Sequence, residues 1–243
     1  MRIIKLDATN STNSYLRELI SKGKVDDFTV VSTKKQTKGR GQMGTVWESS
    51  TSKNLTFSVF KDVSFLEMEQ CFYISMVTAL AALKTLKELA IPKLSVKWPN
   101  DILSENKKVC GVLIENVIKQ SQLQGSIIGI GLNVNQTDFE NLPKASSLKS
   151  ISGKFFVLDE VLVALILNLK YYFGILEAGN LKVLKDEYET NLFRKDKPST
   201  FKDAEGLMFS GFITGISSDG KLEVLLEDEI IKTFDLKEIS LLY

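Results

Sequence analysis

Residues 95–115, SVKWPNDILSENKKVCGVLIE, set a proline inside what otherwise reads as sheet, and this restricts the chain more than any other feature. Two apolar runs, at 94–96 and 109–114, flank a polar insert rich in turn formers. That pattern predicts two paired strands joined by a loop at 104–107. Pro99 has no N–H to give a central ladder, so residues 97–101 are expected to bend out at the sheet rim. The bend gathers Lys97, Asn100, Asp101 and Lys108 on one hairpin. Two cations, an amide and a carboxylate together suit an anion, or a phosphate with its metal ion. An ordinary surface turn has the same composition, so the rest of the chain must decide.

Composition narrows the chemistry. The chain of 243 residues contains no histidine, which excludes Ser-His-Asp and Cys-His nucleophile pairs and histidine metal sites. Catalysis then falls to Lys, Arg, carboxylates, amides and backbone N–H groups, a repertoire suited to phosphoryl chemistry rather than ester or peptide hydrolysis. Thirty-one basic against thirty acidic residues leave a net charge of +1. No block of like charge marks a general nucleic-acid or membrane-surface binder. The longest uncharged apolar stretch, residues 71–83, falls short of the roughly 18–20 residues a bilayer needs. The first ten residues lack the apolar core of a secretory signal. Cys71 and Cys110 make neither a disulfide framework nor a zinc quartet. A cytoplasmic location is expected.

Along the chain, residues 3–6 read as a strand and Ser11 as the cap of a helix. Tyr15, Leu16, Leu19 and Ile20 share one face of that helix, and Gly23 stops it. Ser11, Thr12 and Asn13 therefore sit at a helix start, either as a plain cap or as a holder of polar ligand atoms. A strand at 28–32 leads into Gln36-Thr-Lys-Gly-Arg-Gly-Gln-Met-Gly44. Its glycines allow close backbone approach, and Lys38 and Arg40 add positive charge to a possible anion nest. The loop is neither a P-loop nor a dinucleotide fingerprint. Trp47 either covers a base or anchors the loop in the core.

Residues 54–60 read as a strand, and 67–90 as a long buried helix ended by Pro92. In the strand at 124–135, Gly129 and Gly131 mark a bulge or the close approach of a ligand or a helix. Amphipathic helices follow at 159–178 and 181–192. From 201 onward only short β-like runs occur, two of them around the turn Ser218-Asp-Gly220. They predict a five-stranded barrel of SH3 type, with a boundary near 194–197.

STN at a helix start, GRGxxGxxW, NLTFS, KWPND with KKVCG, and GIGLNVN occur in that order. Together they make the chain similar to the biotin protein ligase family over essentially its whole length. The resemblance implies an α+β fold: a mixed sheet flanked by helices, like class II aminoacyl-tRNA synthetases, with a small C-terminal SH3-like β-barrel. It implies a catalytic unit at 1–194 and a β domain at 195–243. The implied activity joins biotin to ATP as biotinyl-5'-AMP, with Mg²⁺, then transfers biotin to a lysine of a biotin carboxyl carrier protein. The chain begins at the catalytic segment, so no DNA binding and no repressor role are expected. No membrane partner is expected, and the protein is either a monomer or a homodimer.

The resemblance also carries residue roles. Ser11, Thr12, Asn13 and Gln36 would contact biotin, and Gly39, Arg40, Gly41 and Gln42 would close over biotin and adenylate. Trp47 would pack on the adenine, with Gly44 and Asn133 also on the ATP side. Lys97, Asn100 and Asp101 would serve the phosphates, Asp101 as the Mg²⁺ ligand. Lys108 would reach the biotin carboxylate and the α-phosphate, and Gly111 and Gly129 would line the wall. Arg40, Lys97, Asp101 and Lys108 are thus the implied catalytic set. Gln42, Met43 and Thr45 stand where many relatives carry arginines, which leaves Arg40 with more of the loop's charge. A lipoyl or octanoyl transferase of the same fold is the nearest rival, but its usual motif contains a histidine. Cys110, a candidate acyl carrier, lies in an apolar run. A non-catalytic biotin sensor would be expected to lack Lys97 and Lys108.

Overall fold

The structure, a computed structural model, describes residues 2–140 and 142–243. Its strands and helices alternate as β1 (Ile3–Thr9), α1 (Thr12–Lys22), β2 (Thr29–Gln36), β3 (Leu55–Asp62), α2 (Phe72–Glu88), β4 (Leu94–Lys97), β5 (Asp101–Ser104), β6 (Lys107–Lys119) and β7 (Gln122–Leu132). Helices α3 (Leu148–Ser152), α4 (Leu158–Glu177) and α5 (Leu181–Thr190) follow. The chain then runs through β8 (Pro198–Asp203), β9 (Met208–Ile216), β10 (Leu222–Leu226), β11 (Ile231–Phe234) and β12 (Ile239–Leu242).

The first seven strands form one mixed sheet in the order β1-β2-β3-β7-β6-β5-β4. Only β1 and β2 run parallel; the other pairs are antiparallel. The period-2 alternation of strand side chains divides this sheet into two different faces. Val30 and Ile128 point toward the large core built with α2, α4 and α5. Val31 and Ile127 point the other way and meet Leu16 of α1 in a much smaller cluster. Helix α2 is apolar nearly all round because it is covered on both sides. One sheet face is thus closed by helices, and α1 covers only part of the other.

The remaining strands form an antiparallel five-stranded sheet, β11-β10-β9-β8-β12, as expected of an SH3-like unit. Phe201, Ile213, Val224 and Phe234 belong to the same core cluster as the helices of the first sheet. The two sheets are also stitched across the KWPND turn. The Trp98 indole N–H donates to the Gly220 carbonyl at 2.9 Å, and the Tyr188 hydroxyl to the Pro99 carbonyl at 3.0 Å.

One sequence expectation is corrected here. The loop at 104–107 does not join the two apolar runs directly. Residues 101–104 form a strand of their own, so β4 pairs β5 and β5 pairs β6. Pro99 lies in the tight turn between β4 and β5, which satisfies its need to leave the ladder. The short helix α3 was not foreseen; the Ser147 side chain caps it by accepting from the Ser150 N–H at 3.1 Å.

Candidate active site

The half-covered face of the sheet holds a cleft of about 310 Å³, within the lower range of ligand pockets. Its floor exists because side chains are missing. On β7, Ile127, Gly129 and Gly131 alternate onto this face, and register sets Gly111 opposite Gly131 and Leu113 opposite Gly129. A Cβ on Gly131 would lie 2.2 Å from Trp47 Cε2, and one on Gly129 would lie 2.4 Å from Asn13 Oδ1. Each glycine is therefore a seat for one side chain. Gly131 went unassigned in the sequence, yet it carries the Trp47 indole. The Trp47 indole N–H is buried and has no hydrogen-bond partner among the described residues.

At one end of the floor lies a buried polar group. Ser11, Thr12 and Asn13 are all at least 96 % buried at the start of α1. Ser11 makes no side-chain cap, so the plain N-cap reading of STN fails. The Thr12 N–H instead donates to Gln36 Oε1 at 2.8 Å. Ser58 Oγ lies 2.7 Å from Thr12 Oγ1 and 2.6 Å from Asn13 Oδ1. Ser58 was not singled out in the sequence; only its place in NLTFS could have suggested it.

At the other end lie the charges. Lys108 Nζ is 2.7 Å from Asp101 Oδ1, with both side chains partly shielded from solvent. A bulge brings them together. Ile102 pairs Cys110 while Leu103 pairs Lys108, which leaves Val109 as the extra residue. The bulge shifts side-chain parity by one, so Lys108 shares the cleft face with Gly111. Segment 144–146 holds the Lys108 backbone from the far side, through Lys108 N–H to the Lys144 carbonyl at 2.7 Å and Ser146 N–H to the Lys108 carbonyl at 3.0 Å. Lys97 also lines the cleft. Burial pulls its ammonium below the usual lysine range; Asp101 opposes the shift, and Lys108 and Lys144 add to it. Cys110 is fully buried and its thiol is pushed up to about 12, as expected of an inert core cysteine.

The glycine loop closes the third side. Arg40 bridges Val46 across it, the Trp47 N–H donates to the Gly39 carbonyl at 3.1 Å, and the Gly41 N–H donates to the Thr45 carbonyl at 2.7 Å. Thr45 braces the turn from inside, donating its hydroxyl to the Gln42 carbonyl at 2.7 Å. Gly39 faces the Trp47 carbonyl, where a Cβ would come within 2.2 Å. Arg40, Gly41, Gln42 and Trp47 line the cleft; Gly39 and Gly44 do not. Asn133 does not line it either. That residue is 4 % exposed and its backbone ties β6 to α3. Asn100 lines the cleft, and one N–H of its amide donates to the Val112 carbonyl, which ties the hairpin to β6.

The fold and this arrangement agree with the match of residues 6–133 to the model of the biotin/lipoate A/B protein ligase family. The chain belongs to that family. Bifunctional ligase/repressor BirA of Bacillus subtilis (strain 168) is 30% identical over 248 residues, covering 98% of this chain and 74% of that relative. A biotin–[acetyl-CoA-carboxylase] ligase of Mycobacterium tuberculosis is 33% identical over 143 residues, covering 58% of this chain and 52% of that relative. A solved biotin protein ligase from Aquifex aeolicus, in complex with biotin and ATP, has a TM-score of 0.83 at 30% identity and covers 99% of this chain and 98% of its own.

Proposed function

We infer that this chain is an ATP-dependent ligase that activates biotin as biotinyl-5'-AMP and transfers the biotin acyl group to a lysine of a biotin carboxyl carrier protein. The observation that carries the reading is one cleft with a buried neutral polar end at Thr12, Asn13 and Gln36 and a cationic end at Lys97 and Lys108. Biotin has a neutral ureido ring at one end and a carboxylate at the other, so it fits that polarity in one direction only.

In the first half-reaction a biotin carboxylate oxygen attacks the α-phosphorus. The bond to the bridging oxygen of the β-phosphate breaks, and pyrophosphate leaves with the electron pair. Two anions have to meet. Lys108 stands between the polar end and the phosphates and offsets that repulsion, and Lys97 holds the departing charge. Asp101 is the one acid lining the cleft among the described residues. A single carboxylate suits a Mg²⁺ ion that takes most of its ligands from water and phosphate oxygens. Such an ion would neutralise charge on the pyrophosphate. In the second half-reaction the carrier amine attacks the acyl carbon, the acyl–phosphate C–O bond breaks, AMP leaves with that pair, and the amine proton passes to solvent. The glycine loop and Trp47 cover the adenylate meanwhile and keep water from it.

We assign catalysis to residues 1–194 and support of the KWPND turn to 195–243. The continuous core across that boundary supports a shared fold with divided labour. A cytoplasmic location is in keeping with two free cysteines, and no described helix is long and apolar enough to cross a membrane. Biotin-dependent exchange of labelled pyrophosphate into ATP tests the reading, with lipoate and octanoate run beside biotin. Exchange with biotin alone, followed by label transfer to an apo carrier domain, is expected. Exchange with lipoate only, or with no acid, overturns it.

A further inference from the structure

Glu115 on β6 belongs to none of the motifs that carry the family resemblance, yet it joins two parts of the site. It shares a sheet face with Gly111 and Leu113, both of which line the cleft, and its side chain is 18% exposed. Its Oε2 accepts from Asn13 Nδ2 at 2.8 Å and from Arg40 Nη2 at 3.1 Å. Its Oε1 faces Arg17 Nη2 at 3.2 Å. We propose that Glu115 is a positioning residue that orients Asn13 in the polar pocket and seats the glycine loop through Arg40. The proposal rests on the ligase reading above.

Proton bookkeeping supports the first role. An ionised carboxylate only accepts, so the amide of Asn13 must turn its NH₂ toward Glu115. The same NH₂ also reaches the Leu113 carbonyl at 3.3 Å. Asn13 Oδ1 is thereby aimed at Ser58 and the bare Cα of Gly129. Ser58 has one hydroxyl proton, and Oδ1 is the neighbour that cannot donate. Ser58 therefore donates to Asn13, while the Thr12 hydroxyl lies 2.7 Å from Ser58 Oγ and 3.2 Å from Gln36 Oε1. The Thr12 N–H donates to Gln36 Oε1, and the Gln36 NH₂ has no hydrogen-bond partner among the described residues. The orientation of the Asn13 amide and the direction of the Ser58–Asn13 bond follow from the carboxylate at the end of the row. A glutamine there would offer an NH₂ of its own and permit the reversed row.

Geometry supports the second role. Arg40 is the sole charged residue between Gly39 and Trp47, and its guanidinium uses the same carboxylate oxygen as Asn13. Anything that draws Asn13 away changes the hold on Arg40. Filling the pocket and seating the loop are thus coupled through one atom.

The test compares full-length wild type, Glu115→Gln, Glu115→Asp and Arg17→Gln. Exchange is titrated with biotin and with ATP, and escape of preformed labelled biotinyl-AMP is followed in a chase. Glu115→Gln is expected to raise the biotin KM and speed adenylate escape, each by about tenfold. Its kcat and ATP KM should stay within about twofold of wild type. Glu115→Asp, which keeps the charge on a shorter arm, is expected between wild type and Glu115→Gln; it carries the test if the glutamine variant does not fold. Arg17→Gln removes the contact to the other oxygen and should leave the biotin KM unchanged. If neither glutamate variant moves biotin KM or adenylate escape more than Arg17→Gln does, Glu115 is a fold-stabilising ion pair and the proposal is overturned. A loss confined to kcat also overturns it. Absence of biotin-dependent exchange in the wild type would instead remove the ligase reading itself.

Discussion

The ammonium of Lys97 lies 5.0 Å from the ring centroid of Tyr243, and Lys144 approaches the same ring at 4.0 Å. Tyr243 packs edge-on against Phe193 at 5.1 Å, which keeps the ring in place. One aromatic side chain just beyond β12 thus contacts two cations that repel each other. A cation–π contact contributes about 0.5–2 kcal/mol. Tyr243→Ala is therefore expected to raise the ATP KM by roughly three- to tenfold and leave the biotin KM alone. Tyr243→Phe keeps the ring and should behave as wild type. Pyrophosphate exchange titrated with ATP decides; equal values for both variants would remove the ring from the account.

Lys108 is paired with Asp101 before any substrate arrives, so the ligand-free cleft holds its central cation in place. Lys108→Ala is expected to slow exchange by about 10²–10³-fold, the usual cost of one charge-stabilising donor. Circular dichroism should be unchanged, since the side chain is partly exposed. Near-normal exchange at saturating biotin and ATP would show that another group carries the charge.

Much of this site was legible because its residues come in short runs with fixed spacing. Ser11 to Asn13, Gln36, Arg40 to Gln42, Lys97, Asp101 and Lys108 all line one cleft. What escaped the sequence depends on partners far along the chain. The bulge at Val109 that aims Lys108 is a property of how β6 pairs β5. No pattern within 107–119 requires it. The bond from the Asn100 amide to the Val112 carbonyl is another such long-range contact, tying the turn to β6. Ser58 and Glu115 were passed over for the same reason: a single polar residue in an apolar strand reads as incidental until its neighbours are known. In the fold, every strand of the first sheet lay in a region of apolar alternation except β5. That strand is four residues long and lies within the polar insert between the two apolar runs.

Gly131 carries the Trp47 indole at a distance no side chain would allow, with Cε2 2.2 Å from the position of an added Cβ. Gly131→Ala must push the indole off the floor and with it the end of the glycine loop. Red-shifted tryptophan emission and faster escape of the adenylate are the expected results, with secondary structure intact. Gly174→Ala serves as the control. Nothing lies within 4 Å of a Cβ there, and the change sits in α4, so it should stabilise the fold by about 1 kcal/mol and leave emission unchanged. Unshifted emission in Gly131→Ala would mean that the indole does not rest on this floor in solution.

Lys97 sets function against stability. Burial lowers its pKa, Asp101 opposes that effect, and Lys108 and Lys144 reinforce it. A lysine depressed in this way binds its proton less readily folded than unfolded. Its stabilising contribution is present above the ordinary lysine value and is lost as pH falls through the lowered one. At neutral pH the protein thus carries a cost that an apolar residue would not impose. Lys97→Met should raise the melting temperature by about 2–4 °C at pH 7, while exchange falls by about 10²-fold or more. The melting advantage should shrink as pH is raised toward 10, because the wild-type amine then loses the charge that costs it stability. Melting curves of both proteins at the two pH values separate charge from packing. A pH-independent advantage would assign the gain to the methionine side chain, and no advantage at all would mean that Asp101 and solvent already compensate the ammonium.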